Sequence, residues 1–443
     1  MPSVYVKTLG CKVNSFDSHA IENQFQALGW ELRDSAEAAD VFIVNSCSVT
    51  ENAEKEARYW IRRNQREHPD SLKVITGCYA QIDSKTIADL EYVDVVIPNE
   101  IKASAAELIS KRWNNQWTGK VPEHVALVEK NKQGHFKSAP LFASSKSSRT
   151  RVFLKVQDGC NGFCSYCQIP YARGQSCSVP IADILEEAEK RFQDGCREIV
   201  LTGIHLGDYG RDLSPETHFP SLFREILNLA KNHNSRIRLS SLEPSEVTPD
   251  LIAVALEYQD QFCDSFHLPL QSGSDKILKK MRRQYTKARY LDSVHQIRNA
   301  FPHARITADI IPGFPGETDD DFKETMDFIE HECSLASLHV FPYSKRPNTA
   351  ALRLPDHLDP KVTHKRAESL RKLSHKLNLN YGRFALSKSH QVLWETSKGD
   401  RGQGRTSNDL AVVCPTPMTA GSFSQVSLKG FTENGKLLGI PLH

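Results

Sequence analysis

VFLKVQDGCNGFCSYC, residues 152–167, sets a strand-like apolar run, Val152 to Val156, directly before three cysteines at CxxxCxxC spacing: Cys160, Cys164 and Cys167. Three thiolates so close together on one loop can hold three irons of a four-iron cluster and leave the fourth iron open to a cofactor. A structural zinc knot is the competing reading, but it ordinarily takes four ligands in paired short spacings. The nearest further thiol, Cys177, is set apart by Pro170, Arg173 and Gly174.

Beyond this loop the strand-then-helix pattern repeats. Strands are expected at Arg151–Val156, Glu198–Thr202, Arg236–Ser241, Ser265–Leu270, Arg305–Ile311 and Leu335–Phe341, with helices such as Ala182–Phe192 and Ser221–Lys231 between them. Six such units form a curved, incomplete (β/α) barrel whose loops at the carboxyl ends of the strands make the site. The cysteine loop follows the first of these strands, where such a site belongs.

Upstream, strands at Val4–Leu9, Val41–Asn45, Lys73–Thr76 and Val93–Ile97 alternate with helices at Ser15–Leu28 and Glu51–Arg66. That alternation predicts a parallel sheet with crossover helices. Cys11, Cys47 and Cys78, in the contexts TLGC, NSC and TGC, each lie just beyond a strand end. In an open α/β sheet those ends share one edge, where ligands bind, so the three thiols are expected to converge on a second cluster. Gly10 and Gly77 allow the sharp turn before the ligand. The competing reading is three small buried residues, since free cysteine packs well in interiors.

The chain has 443 residues, a formal net charge of +2 and eleven cysteines. That length suits about three domains, and no apolar run approaches the length that spans a bilayer. The N-terminus lacks signal-peptide architecture, so a cytoplasmic, reducing location is expected, with cysteines used for metal or redox work instead of disulfides. Near-neutral charge excludes an argument for a polyanion partner from composition alone. The stretch from Gln116 to Thr150 is rich in Gly, Ser, Lys and Asn and reads as a linker, basic at its end.

From about Tyr381 the pattern changes to short strands at His390–Glu395, Leu410–Cys414, Ser424–Leu428 and Lys436–Ile440, which predicts a small β-barrel. Lys361, Lys365, Arg366, Arg371, Lys372, Lys376, Arg383, Lys388, Arg401 and Arg405 lie before and within it. They form either a phosphate-binding surface or a solvated helix face.

With TLGCKVN (8–14) and CNGFCSYC (160–167), the chain carries IPYARG (169–174), LTGIHLGDYG (201–210), LSSLEP (239–244), HLPLQSG (267–273), IPGFPGET (311–318) and HVFPYSKR (339–346). In these it resembles the radical S-adenosylmethionine methylthiotransferases over almost its whole length. The resemblance implies a methylthiotransferase α/β domain at 1–115, a linker at 116–148, a radical S-adenosylmethionine partial (β/α)6 barrel at 149–376 and a TRAM-like RNA-binding β-barrel at 377–443. It implies two [4Fe-4S] clusters. The one on Cys160, Cys164 and Cys167 would bind and cleave S-adenosylmethionine, and the one on Cys11, Cys47 and Cys78 would supply sulfur. Breaking an unactivated C–H bond lies beyond acid–base side chains, which is why such a cofactor is needed.

Carried over residue by residue, Tyr166 is expected near the adenine, Thr202 and Gly203 near the methionine amino group, and Ser241 and Glu243 near polar atoms of the cofactor. Each has a plainer alternative: packing for Tyr166, a turn for Gly203, a surface salt bridge for Glu243. His267 and His339 read as hydrogen-bonded barrel residues without a proton-transfer role. Cys177, Cys196, Cys263, Cys333 and Cys414 read as buried or spare thiols.

The implied partners are a tRNA anticodon stem-loop, a reductant such as flavodoxin or ferredoxin, and a sulfur donor. TLGCKVNSFDS and NSCSVTENAEKEARYWIRR (45–63) most resemble the branch acting on threonylcarbamoyladenosine in tRNA. The branches acting on isopentenyladenosine in tRNA or on a ribosomal-protein aspartate are alternatives. A non-catalytic iron–sulfur or zinc RNA-binding protein is the alternative of another class. Asn348, where the family usually has glycine, Asp409, where an aromatic is usual, and Cys177 depart from the pattern.

Overall fold

A computed structural model describes residues 1–116, 119, 120, 150–386, 388–398, 400–433 and 435–442. The expected linker, 116–148, lies almost wholly outside the described residues. The chain folds as the expected α/β sheet, partial barrel and small β-barrel.

The first sheet comprises β1 (Ser3–Thr8), β2 (Glu31–Leu32), β3 (Val41–Ser46), β4 (Leu72–Gly77) and β5 (Val95–Pro98), in the order β2-β1-β3-β4-β5 and parallel throughout. Its central strand β3 is buried along its whole length, as a strand covered on both faces must be. Successive side chains alternate between the faces. Val41 and Ile43 pack with Ile21 and Phe25 of α1 (Lys12–Ala27), while Phe42 and Val44 pack with Ala57 and Ile61 of α2 (Glu51–Glu67). α2 starts at Thr50, whose Oγ1 accepts the Ala53 N–H at 3.3 Å, with Glu51 and Glu54 in the first turn. The two-residue β2, too short to carry a period, has no counterpart in the sequence reading.

In the central region β6 (Arg151–Lys155) leads into β7 (Gln157–Asp158), which pairs antiparallel with β8 (Cys177–Ser178) and pinches the base of the cysteine loop. β9 (Glu198–Thr202) and β10 (Arg236–Leu239) join β6 in one parallel sheet of order β10-β9-β6. β11 (Ser265–His267), β12 (Arg305–Ile310) and β13 (Ser337–Val340) form a second parallel sheet. Parallel bridges Ile237–Phe262 and Ser241–His267 join the two, so all six expected strands curve into one partial barrel.

An incomplete barrel has two open edges, and both are covered. Along β6 lies α1, whose Phe16 and Ala20 belong to the same buried cluster as Leu154, Val156 and Leu201. Along β13 lies the helix Pro360–Ala385, anchored by Leu370 and Leu373 and by Ser374, whose Oγ accepts the Leu338 N–H at 2.9 Å. That helix runs unbroken through 376–377, the boundary expected from the sequence. Its apolar face serves the barrel first and, at Ala385, the β-barrel core next.

The last region is a closed barrel of β14 (Ser389–Lys398), β15 (Arg401–Thr406), β16 (Ala411–Cys414), β17 (Phe423–Phe431) and β18 (Leu437–Pro441), in the order β14-β15-β16-β18-β17. Trp394 fills its centre with Val392, Val412, Val426 and Leu437. Removing such a side chain costs about 3–5 kcal/mol. β15, sequence RGQGRT, escapes the sequence reading because it is polar and holds two glycines. It forms only because β14 and β16 pair with it on both sides.

Buried charge joins this barrel to the central one. Glu198, fully buried, accepts from Nε of Arg236 and of Arg238, both at 2.7 Å. The far ends of these arginines donate to the carbonyls of Arg405, Thr406 and Ser407. Arg366, grouped in the sequence with surface cations, is instead buried against Glu317 and Asp319. Among the described residues no helix is long and apolar enough to cross a membrane.

Candidate active site

β1, β3 and β4 are neighbours in the sheet, and Cys11, Cys47 and Cys78 follow their carboxyl ends directly. Gly10 and Gly77 have φ of +93° and +97°, the left-handed region that lets the chain turn there. A Cβ at Gly10 would stand 2.6 Å from Cys47 Cβ, so only glycine lets the first two cysteine loops touch. Asn14 stitches the same loops, donating from Nδ2 to the carbonyls of Leu9 (2.8 Å) and Ser46 (2.9 Å). Cys11 caps the N-terminus of α1, where the helix dipole favours a negative sulfur. Burial, then the neighbouring sulfurs of Cys78 and Cys11, push the Cys47 thiol up to about 12. Cys11 keeps exposed surface at the mouth of this recess, yet the surrounding protein raises its thiol too.

The barrel trio is held by N–H groups aimed at sulfur. Gly162 N–H donates to Cys160 Sγ at 3.3 Å, Ile169 N–H to Cys167 Sγ at 3.4 Å, and Arg283 Nη1 to Cys164 Sγ at 3.2 Å. In the first trio Asn99 Nδ2 approaches Cys78 Sγ at 3.5 Å and donates to the Ala172 carbonyl at 2.7 Å, tying the sheet to the barrel. Burial raises the Cys164 and Cys167 thiols. A cation bound among such thiols must therefore release their protons.

Three thiols per loop set, each trio backed by N–H donors, suit an iron–sulfur cluster. A structural zinc knot ordinarily takes four ligands, and each set here offers three thiols.

A cavity is lined both by Cys167, with Tyr166, Gln168 and Ile169 beside it, and by Ser48–Thr50, the residues that follow Cys47; Gln271, Asp309, Phe341, Tyr343 and Arg346 complete it. Two buried polar atoms on its lining, Gln271 Oε1 and the Tyr343 hydroxyl, have no hydrogen-bond partner among the described residues. Burial holds the Tyr343 phenol up at about 12, so it stays a donor, while Gln271 Oε1 is an acceptor. Unpaired buried atoms of this kind are costly unless a ligand satisfies them.

A buried ionic network joins sheet and barrel. Asp17 of α1 meets Lys155 Nζ at 2.7 Å, Lys102 Nζ at 3.1 Å and Arg173 Nη2 at 3.2 Å. Asp158 takes Lys155 and Arg173, each at 2.9 Å. Burial opposes ionisation of Asp17, but Lys102, Lys155 and Arg173 outweigh it and hold the carboxyl well below the carboxylate range. Arg173 also donates to Asn14 Oδ1 at 2.5 Å, and Asp158 accepts the N–H of Gly159, which precedes Cys160. One network thus touches the loops of both trios.

Comparison with known proteins agrees with this geometry. Residues 154–329 match the model of the radical SAM superfamily, and residues 3–98 match that of the uncharacterized protein family UPF0004. The chain is 38% identical to a threonylcarbamoyladenosine tRNA methylthiotransferase, MtaB, of Bacillus subtilis, covering 86% of this chain and 82% of the relative. It is 31% identical to the protein of that name from Aquifex aeolicus, covering 99% of each. It is 33% identical to a tRNA-2-methylthio-N(6)-dimethylallyladenosine synthase of Thermoanaerobacter, covering 88% and 82%. The chain belongs to the radical S-adenosylmethionine methylthiotransferases. It is therefore an enzyme that uses S-adenosylmethionine and [4Fe-4S] clusters, and the non-catalytic alternatives fall away. Among solved structures, a radical S-adenosylmethionine methyltransferase, TsrM, of Kitasatospora setae has a similar fold, with a TM-score of 0.57 at 15% identity, covering 79% of this chain and 77% of that one.

Within this methylthiotransferase the other candidate residues stand as follows. Tyr166 lines the cavity and packs against Ile277, Met281 and Phe314. Thr202 ends β9, buried, with Oγ1 on the Val200 carbonyl. Gly203 lies under Gln157, whose Oε1 accepts the N–H groups of Ile204 and His205 at 2.9 Å; a Cβ there would meet that oxygen at 3.1 Å. Ser241 bridges to His267 beyond β10. Glu243 is ion-paired with Arg283, the residue that reaches Cys164. His267 bonds Thr307 Oγ1 at 2.8 Å and Asp309 at 3.1 Å, as a barrel histidine should. Cys196, Cys263, Cys333 and Cys414 are buried.

Sequence reasoning missed Arg283, Gln271, Tyr343 and every member of the ionic network in its role. Arg173, Gln271 and Tyr343 sit inside quoted motifs, so the motifs were the available signal. Asn348 and Asp409 have φ of +64° and +60°. These departures fall where the backbone enters the left-handed region, which Asn and Asp tolerate better than most residues.

Proposed function

We propose that this enzyme converts N(6)-threonylcarbamoyladenosine in tRNA to its 2-methylthio derivative, with Cys160, Cys164 and Cys167 holding the cluster that binds S-adenosylmethionine and Cys11, Cys47 and Cys78 holding the second. The observation that carries this reading is the cavity lined both by Cys167 and by the residues that follow Cys47. In this reading the target base sits there. The names of the Bacillus and Aquifex relatives support the substrate, as does the branch motif around Cys47.

When bound, the clusters and S-adenosylmethionine supply the radical and sulfur chemistry that an unactivated carbon requires. The protein's part is positional and electrostatic. Arg283 and the N–H groups of Gly162 and Ile169 stabilise negative sulfur, and Arg283 in turn is steadied by Glu243. Tyr166, Thr202, Gly203, Ser241 and Glu243 are the residues that would hold S-adenosylmethionine in this reading. Gln271 Oε1 and the Tyr343 hydroxyl offer one acceptor and one donor to what enters the cavity. The Asp17 network holds the two loop sets in register.

In this reading residues 1–115 are the sulfur-supplying domain, 149–376 the radical domain and 377–443 the RNA-gripping domain. A cytoplasmic location, a flavodoxin or ferredoxin reductant and a separate sulfur donor complete it. The test is mass spectrometry of tRNA nucleosides from cells with and without the gene. Loss of the methylthio-threonylcarbamoyl nucleoside with accumulation of its precursor is the expected result. Loss of the methylthio-dimethylallyl nucleoside alone would transfer the assignment to the branch of the Thermoanaerobacter relative.

A further inference from the structure

α2 carries a feature that neither cluster site uses. Between Lys55 and Arg66 it holds five cations, Lys55, Arg58, Arg62, Arg63 and Arg66, against the single acid Glu56. Lys55, Tyr59, Arg62 and Arg66 recur at i, i+4, i+7 and i+11, so they share one helix face over roughly 16 Å. The five cations and Tyr59 line a surface groove without a carboxylate in its lining. Arg58 donates to the Tyr79 hydroxyl at 2.6 Å and Arg62 to the Tyr92 hydroxyl at 2.9 Å, neutral partners that steady the guanidinium groups and leave their charge uncancelled. Acids reach the stripe from its ends: Glu51 pairs with Lys55, and Glu67 with Arg63 and Arg66. Tyr59 is 54% exposed and meets Trp60 edge to face, which puts an aromatic platform among the cations.

The placement of this face matters as much as its charge. Thr50, which caps α2, is part of the cavity lining, and Val49 and Phe341, both on that lining, keep exposed apolar surface. α2 is also fixed to the barrel at that end: Glu54 is ion-paired with the buried Arg346, and the Glu51 N–H lies 3.4 Å from Ser344 Oγ. The stripe therefore starts about one turn beyond the cavity rim and leads away from it in a fixed direction. We propose that this face of α2 binds the phosphate backbone of the tRNA strand flanking the base held in the cavity, a contact separate from any made by the C-terminal β-barrel. The inference rests on the tRNA reading above. Interleaved cations and an exposed aromatic suit a nucleic acid strand, whose phosphates and bases can use both. An acidic redox protein would use only the charge.

The test compares the reconstituted full-length holoenzyme with the triple variant Lys55→Gln, Arg62→Gln, Arg66→Gln, using iron content and melting temperature to control for folding. Affinity for a labelled anticodon stem-loop RNA carrying the precursor nucleoside is titrated at several salt concentrations. Removing three phosphate contacts lowers the slope of log affinity against log salt by roughly two to three and weakens binding at least tenfold at about 0.1 M salt. Equal affinity and equal slope in a folded variant overturn the inference and leave the proposed function standing. Unchanged RNA binding with slower reduction by flavodoxin overturns it in favour of an acidic protein at this face. Failure of the wild-type enzyme to bind the RNA overturns both readings.

Discussion

Two seams hold this molecule together, and both are built of buried charge, yet they are wired differently. Between the first sheet and the barrel, Asp17 and Asp158 meet Lys102, Lys155 and Arg173 side chain to side chain. Between the barrel and the β-barrel, Glu198 grips the near ends of Arg236 and Arg238, while their far ends hook backbone carbonyls of β15 and the residue after it. A network of side chains accepts one geometry and one set of partners. Hooks on carbonyls fix an orientation without reading a side chain, and the looser pairs Arg305–Asp409 and Arg151–Glu395, at 3.6 and 3.5 Å, add side-chain contacts beside them. The first device suits two thiol trios that must face one cavity, and the second suits an appendage that need only be held.

The contrast is most severely tested at Asp17. Asp17→Asn leaves Lys155 and Arg173 to Asp158 and leaves Lys102 with no carboxylate partner, and a loss of about 3–5 kcal/mol in urea denaturation is expected, with methylthiolation falling further than stability accounts for. Adding Lys102→Met to that variant removes a surplus charge and should restore part of the stability. If Asp17→Asn is as stable and active as wild type, the network has no positioning role.

Glu198→Gln should cost less, about 2–3 kcal/mol, because both arginines keep their carbonyl partners. Its effect should be local. Limited proteolysis should open the chain near Leu386 while iron content stays unchanged; loss of iron would mean that the two seams are one.

Acid should loosen the seat further. Burial opposes ionisation of Glu198, but Arg238 and Arg236 hold its carboxyl below the usual range. Because the folded value is depressed, its stabilisation is complete above the ordinary carboxylate range and is lost as pH falls below about 4. Melting temperature plotted from pH 6 to about pH 3 should therefore fall less steeply in Glu198→Gln than in wild type.

The smallest effect belongs to the exposed Lys190–Glu186 pair, 2.6 Å apart on a barrel helix. Lys190→Ala should leave the melting temperature unchanged within error, since exposed pairs are screened by water and salt. A clear shift there would mean that distance alone, not burial, sets the energetics of both seams.

Much of this architecture is legible in local pattern. The barrel strands, the parallel first sheet and the six cysteines each follow from a period or a spacing within a few residues. β15 does not, because RGQGRT has no apolar alternation and depends on its neighbours. Arg283 reads as one more surface cation until β10, the cysteine loop and the segment after Lys280 converge and bring it to Cys164 and Glu243. Lys155 sits in an apolar strand and reads as an outward-facing residue, yet its partner Asp17 lies 138 positions away.

What the sequence by itself determined is therefore the set of local units: strands, helices, turns at Gly10 and Gly77, and two trios of thiols at strand ends. Only the tertiary structure decided that Phe16 and Ala20 of α1 would close the barrel edge, that Cys167 and the residues after Cys47 would line one cavity, and that Asp17 would be neutralised by three cations from three segments. The physical reason is range. Periodicity and turn chemistry act over a few residues, whereas a buried charge is tolerable only where distant segments have already brought its partners into place.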